Sequence, residues 1–321
     1  MGTVFTLYLY ERDEEHAAAC CEMAFAEIER LDETLSNYRP SSELSRINRL
    51  AAHQAVTTDP EVFALLEAAS EYSRRSNGAF DVTVGPLMRA WGFFRGEGRY
   101  PKNEELQLAR ENVGFEKVHL DCATRTVRFA TPGVELDLGA IGKGYAVDRA
   151  VMTLREAGID AALVDAGSST LYAMDAPPGK DGWTLRVPEP QDRSRTVSTV
   201  MLRNESLSTS GSYEKFFQLG NEKYCHVMDP REGRPVQGVL QTTLIASDSI
   251  TTDALSNAMF VMGAPAGSEL IASVTGAHGL WILDEPESLQ LVKWRWQDYK
   301  GDGLGQMPVL VPKKEGVQPE R

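Results

Sequence analysis

Asp137-Leu138-Gly139-Ala140-Ile141-Gly142-Lys143-Gly144-Tyr145-Ala146-Val147-Asp148 sets three glycines and a lysine where an extended run gives way to a helical pattern. Backbone N–H groups at such a turn, together with the Lys143 ammonium, can approach an anion closely, as a phosphate cradle requires. The same spacing suits a turn whose glycines only allow tight strand–helix packing, and the loop alone leaves both readings open. A Walker A loop would need glycine at 137 and Ser or Thr at 144, where the chain has Asp137 and Gly144. The dinucleotide fingerprint fails as well, because the glycines fall at 139, 142 and 144.

Two further groups could work with that turn. His226 stands where a strand ends before the Asp229-Pro230 turn, so its imidazole could take a proton from an attacking hydroxyl, or simply bond a turn carbonyl. Asp253 and Asn257, four residues apart, put two side-chain oxygens on one helix face. Oxygen donors at fixed spacing suit Mg²⁺, although Asp253 in a first turn also complements the helix dipole and Asn257 could merely be solvated. Ser208 to Lys215 reads as a hydroxyl-rich loop ahead of a strand, fit for phosphate or for nothing more than a turn. Jointly, an anion loop, a paired-oxygen cation site and a histidine base are the minimum for phosphoryl transfer from a pyrophosphate.

The elements that must hold these groups follow from periodicity. A strand-like alternation at 4–10 precedes a helical period over 13–36, a short helix at 42–48, and a helix from Pro60 to Ser73 that stops near Asn77-Gly78. Phe80 to Val84 reads as a buried strand or turn, 103–112 as a polar helix and 116–130 as a hairpin. Strands are expected at 161–165 and 183–187, paired strands around Gly220-Asn221 within 206–230, a helix at 251–263 and strands at 280–299. The mixture predicts an α+β fold of mostly antiparallel sheets with packed helices and two closely associated lobes. No linker divides it, so a single domain is expected over 1–311 with a loose tail at 312–321.

Composition excludes several classes. The net charge of −13 and the lack of a basic stripe argue against nucleic acid as a partner. No apolar run reaches the ~18 residues of a membrane span. Cys20, Cys21, Cys122 and Cys225 lack zinc-ligand spacing and are expected to be reduced. Met1 leads almost directly into the first strand, which leaves the compartment open: periplasmic or membrane-anchored if a leader lies upstream, otherwise cytoplasmic.

Met1-Gly2-Thr3, Ser36-Asn37-Tyr38-Arg39 with Ser42 to Asn48, Gly78-Ala79-Phe80-Asp81-Val82-Thr83, the Asp137–Asp148 segment, Ser210-Gly211 with Tyr213, His226 to Pro230 and Asp253-Ala254-Leu255-Ser256 occur in an order that resembles the FAD:protein FMN transferases, the ApbE family. The resemblance covers nearly the whole chain and implies an ApbE-like, T-fold-like architecture. It further implies an FAD site formed by Met1, Tyr38, Ala79, Phe80, Asp81, Asp137, Lys143 and His226, with Tyr38 against the flavin ring. Mg²⁺ would be held by the Ala140 carbonyl, Asp253 and Asn257, and His226 would be the base. The implied reaction joins FMN from FAD to a threonine of an acceptor protein, such as a respiratory redox subunit, and releases AMP. FAD hydrolysis to FMN and AMP, or FAD binding without turnover, are the alternatives. The chain departs from the family pattern in having Asn257 for threonine, Gly167-Ser168-Ser169 for Gly-Gly-Asp, and Ser212 for aspartate.

Overall fold

The computed structural model describes residues 2–299, apart from 97, 221 and 286–287. Met1, the end of the expected domain and the tail at 312–321 lie outside the described residues. The first half runs β1 (Phe5–Tyr10), α1 (Glu14–Leu35), α2 (Glu43–Leu50), β2 (Val56–Thr57), α3 (Pro60–Arg75), α4 (Gly85–Ala90), α5 (Asn103–Glu111), β3 (Val118–Asp121), β4 (Thr126–Phe129) and α6 (Gly142–Glu156). The second half continues β5 (Ala161–Ala166), β6 (Thr170–Met174), β7 (Trp183–Pro188), β8 (Thr196–Leu202), β9 (Glu205–Gly211), β10 (Phe216–Leu219), β11 (Glu222–Cys225), β12 (Met228–Asp229), β13 (Arg234–Pro235) and β14 (Val239–Ala246). It ends with α7 (Ser249–Ala272), β15 (His278–Asp284) and β16 (Leu289–Trp294).

One lobe is built on an antiparallel sheet of seven strands in the order β1-β5-β6-β9-β14-β15-β16. Helix α1 turns Cys20, Ala24, Ile28, Leu31 and Leu35 inward at three- and four-residue steps. Its Asp13 cap accepts the N–H groups of Glu15 and His16. The middle of that face meets Val147, Ala150, Val151 and Leu154 of α6. The other lobe holds α2 to α5 and the small sheet β2-β4-β3. A single apolar core runs through both, from Leu44, Phe63 and Phe129 to Leu255, Met259 and Trp281. That continuity packs the two lobes against each other, as a site with walls on both sides needs.

Helix α7 is buried on almost every side, and its indole neighbour Trp281 donates to the Met259 carbonyl. At Gly263 the backbone turns to φ 72°, ψ 176°, breaking the helix before Pro265. Two expectations are refined. Phe80 to Val84 is a turn, tied to the strand-like segment before the glycine turn by a bridge between Val84 and Glu135. The hydroxyl-rich stretch from Ser208 is strand β9, at the centre of the large sheet, as far as Gly211 and turns only at 212–215, and β10 and β11 pair around 220–221.

Candidate functional site

A cleft of about 500 Å³ brings together segments that lie far apart in sequence. Tyr38, Ala79, Phe80, Asp81, Asp137, Ala140, Lys143, His226, Asp253 and Asn257 all line it. Met1 is outside the described residues, and Gly2 and Thr3 contribute to the cleft wall. A larger hollow of about 1170 Å³ lies on the other side of Asp81. It contains none of the other residues expected at the site, and its Arg74 and Arg231 are paired with Glu71 and Asp229.

The glycine turn and α7 meet through Asp253. The Gly144 N–H, which an uninterrupted helix would aim at the Ala140 carbonyl, instead donates to Asp253 Oδ2 at 2.9 Å. The Ala140 carbonyl accepts no backbone N–H among the described residues. Thr170 Oγ1 donates to Asp253 Oδ1 at 3.2 Å, and Lys143 Nζ stands 3.7 Å from the same oxygen. Burial works against the Lys143 charge, yet the carboxylates of Asp253 and Glu214 outweigh it and raise its pKa, so it remains an ammonium. One turn beyond Asp253, the half-buried Asn257 amide faces the cleft with no hydrogen-bond partner among the described residues. A carboxylate, an unpaired amide oxygen and an unpaired carbonyl form an all-oxygen donor set, which fits a hard cation such as Mg²⁺.

His226 follows directly on β11, and both its N–H and its ring bond back to one residue. Its backbone N–H donates to the Lys215 carbonyl at 2.9 Å, and Nδ1 lies 3.1 Å from the same oxygen. A carbonyl can only accept, so Nδ1 carries the proton and Nε2 keeps its lone pair. Burial lowers the ring's pKa to about 4; the hydrogen bond to the Lys215 carbonyl works against this, and the charges of Lys215 and Lys143 work with it. The imidazole is therefore neutral near pH 7, as a general base must be.

The opposite wall is apolar and aromatic. Tyr38, 68% exposed, stands edge-on to Phe94 with ring centroids 5.9 Å apart, which leaves its face open. The Phe94 ring in turn lies under the Arg89 guanidinium. Ala79 and Phe80 are buried, and Phe80 packs edge-on against Tyr72. Asp81 accepts hydrogen bonds from Ser73 Oγ, the Thr83 N–H and hydroxyl, and the Phe115 N–H, so it braces the wall. Asp137 accepts the Gly139 N–H at 2.8 Å and shapes the glycine turn; burial raises its pKa.

Of the departures from the family pattern, those at 168, 169 and 212 are bonded within the fold, while the Asn257 amide is left facing the cleft. Ser168 takes a left-handed φ of 59° with its N–H on Asp165, and Ser169 Oγ donates to the Ala166 carbonyl. Ser212 is buried with its N–H on the Leu240 carbonyl. Two residues escaped the sequence reading: Thr170, which meets Asp253 from β6, and Phe94, which flanks Tyr38. Neither carries a spacing signal, because each meets its cleft partner, Asp253 or Tyr38, from a separate segment.

The ApbE family profile matches residues 1–281. A Treponema pallidum protein named FAD:protein FMN transferase is 30% identical over 301 residues, covering 89% of this chain and 83% of its own length. Among solved structures, the ApbE protein of Thermotoga maritima superposes with a TM-score of 0.84 at 30% identity, covering 92% of this chain and 94% of the other. The apo flavinyl transferase ApbE of Pseudomonas stutzeri gives 0.81 at 29% identity, with 92% of each chain covered. By sequence, by fold and by the residues gathered in its cleft, the chain belongs to the ApbE family.

Proposed function

We propose that the cleft binds FAD and that the chain transfers its FMN half to a threonine hydroxyl of an acceptor protein, releasing AMP. The observation that carries this reading is the neutral His226, its Nε2 lone pair free, in the same cleft as the Lys143 ammonium and the oxygens around Asp253. The names of the relatives, FAD:protein FMN transferase and flavinyl transferase, support it.

In this reading the exposed Tyr38 face takes the flavin ring, and Ala79, Phe80 and Asp81 close the wall behind it. Lys143 and the turn from Asp137 hold the diphosphate. Asp253, Asn257 and the Ala140 carbonyl would hold Mg²⁺, which when bound would offset charge on the diphosphate oxygens. His226 Nε2 accepts the proton of the threonine hydroxyl as that oxygen bonds to the FMN-side phosphorus. The bond from this phosphorus to the bridging oxygen breaks, and the oxygen leaves with AMP. Lys143 meets the charge that develops on the way.

The test mixes protein, FAD, Mg²⁺ and a threonine-bearing acceptor, and follows AMP and acceptor mass. AMP together with an acceptor heavier by one FMN is the expected result. AMP without the mass gain would mean hydrolysis, and bound FAD without AMP would mean storage; either overturns the transfer reading.

A further inference from the structure

Helices α6 and α7 start side by side, and each supplies the other's N-terminal cap. Asp253 of α7 accepts the Gly144 N–H in the first turn of α6. Asp148, one turn further along α6, accepts two N–H groups at the start of α7: Ser249 at 2.8 and 3.0 Å and Ile250 at 2.9 Å. The cap position before α7, Asp248, already serves the Thr251 N–H, so Asp148 supplies partners for donors that the local chain leaves unpaired.

The pairing demands close approach, and Gly144 supplies it. A Cβ at 144 would lie 2.1 Å from the Ser249 carbonyl oxygen and 2.8 Å from the Asp253 Cβ. The glycine in this turn is therefore required by α7 rather than by left-handed backbone. The interlock has a consequence for the cleft. The Gly144–Asp253 bond holds Asp253 against the turn before α6, where the Ala140 carbonyl has no helical donor and Lys143 stands 3.7 Å from Asp253. The carbonyl that would share a cation comes from the turn before α6 and the carboxylate from α7, so the relative position of those two segments sets how far apart they stand.

We propose that Asp148 is a positioning residue for the cation site: it clamps the start of α7 to α6, so that Asp253 and Asn257 stand opposite the Ala140 carbonyl. This inference rests on the cation reading of those three residues. Asp148 itself does not line the cleft. It acts through backbone N–H groups seven and eight residues ahead of the Asn257 amide, by fixing where the helix begins.

Asp148→Asn keeps size and shape but turns an NH₂ toward N–H groups that need an acceptor. Mn²⁺, used as a spectroscopic substitute for Mg²⁺, is titrated into the protein with FAD present and acceptor withheld, and free Mn²⁺ is read by electron paramagnetic resonance. The expected result is a dissociation constant raised roughly 10–100-fold, the range for groups that orient metal ligands from behind. Gly144→Ala, which leaves Asp148 intact but pushes the helices apart, should weaken Mn²⁺ binding as well. Asp13→Ala is the control for general loss of a helix cap, since Asp13 caps α1 far from the cleft. It should lower the melting temperature and leave Mn²⁺ affinity unchanged. Wild-type Mn²⁺ affinity in Asp148→Asn overturns the clamp alone. A wild-type protein that binds no Mn²⁺ overturns the cation reading and the clamp with it.

Discussion

His226 shows how one hydrogen bond can assign a chemical role. Because Nδ1 faces a carbonyl, the proton is fixed there and the free lone pair sits on Nε2. Burial lowers the ring's pKa to about 4, so the base stays active well below the pH at which an ordinary histidine would be protonated. The rate of AMP release at saturating FAD should hold its neutral-pH value down to about pH 5 and fall only toward pH 4. An acid limb centred near 6.5 would remove the buried ring from the chemistry. His226→Ala should lower turnover roughly 10²–10⁴-fold, the effect of losing a general base, while fluorescence quenching still reports FAD binding. Asp253→Ala should abolish both activity and its response to Mg²⁺; Mg²⁺-stimulated turnover in that variant would refute the ligand role. Residue types and spacing pointed to Lys143, His226 and Asp253–Asn257 before any coordinates, because each needs only its neighbours to be suggestive. The Gly144–Asp253 bond spans 109 residues and the Thr170–Asp253 bond 83. Such pairings are set by tertiary packing and leave no local trace.

At the scale of elements, what periodicity and capping dictate was readable. The inward face of α1 recurs at helical steps, and α3 stops where Asn77 and Gly78 take φ of 51° and 74°. Strand β9 was misread for a physical reason. Its Ser and Thr residues look like turn chemistry, yet they pair with hydroxyls beneath α7: Ser206 with Thr252 at 2.8 Å, Ser210 with Ser256 at 3.0 Å, and Ser208 with Thr170 at 2.9 Å. A buried polar seam satisfied pair by pair costs little, and it lets the sheet press closely on the helix that carries Asp253. The kink in α7 offers a clean test of backbone strain. A Cβ at Gly263 would meet nothing within 4 Å, so any cost of Gly263→Ala comes from the backbone angle alone. Its φ of 72° with ψ of 176° lies in a region almost reserved for glycine. The substitution should destabilise the fold by about 1–3 kcal/mol in urea unfolding. An unchanged midpoint would mean that α7 continues through the kink.

For the molecule as a whole, buried ionisable groups set how stability responds to pH. Burial raises the Asp148 and Asp165 carboxyls from the ordinary 3.8 to about 6. Between roughly pH 4 and 6 the folded chain therefore holds protons that the unfolded chain has shed, and their contribution to stability is lost as pH rises. His226 acts with the opposite sign. Its pKa falls from 6.5 to about 4, so over much of the same range the unfolded chain binds a proton that the folded chain refuses, and stability is lost as pH falls. Two carboxyls oppose one imidazole, and burial pushes Asp81 and Asp137 up as well. Glu27 is drawn down to about 2, chiefly by its hydrogen bond from Arg30, and acts only at more acid pH. The net expectation is a fold that loses stability from pH 4.5 to 6.5, by about 1.4 kcal/mol per pH unit for each net proton released. Urea unfolding at pH 4.5, 5.5 and 6.5 measures the slope directly. Asp165→Asn, at a residue that does not itself line the cleft, should flatten it, and His226→Ala should steepen it. A wild-type slope of the opposite sign would show that these carboxyls are not held up by burial.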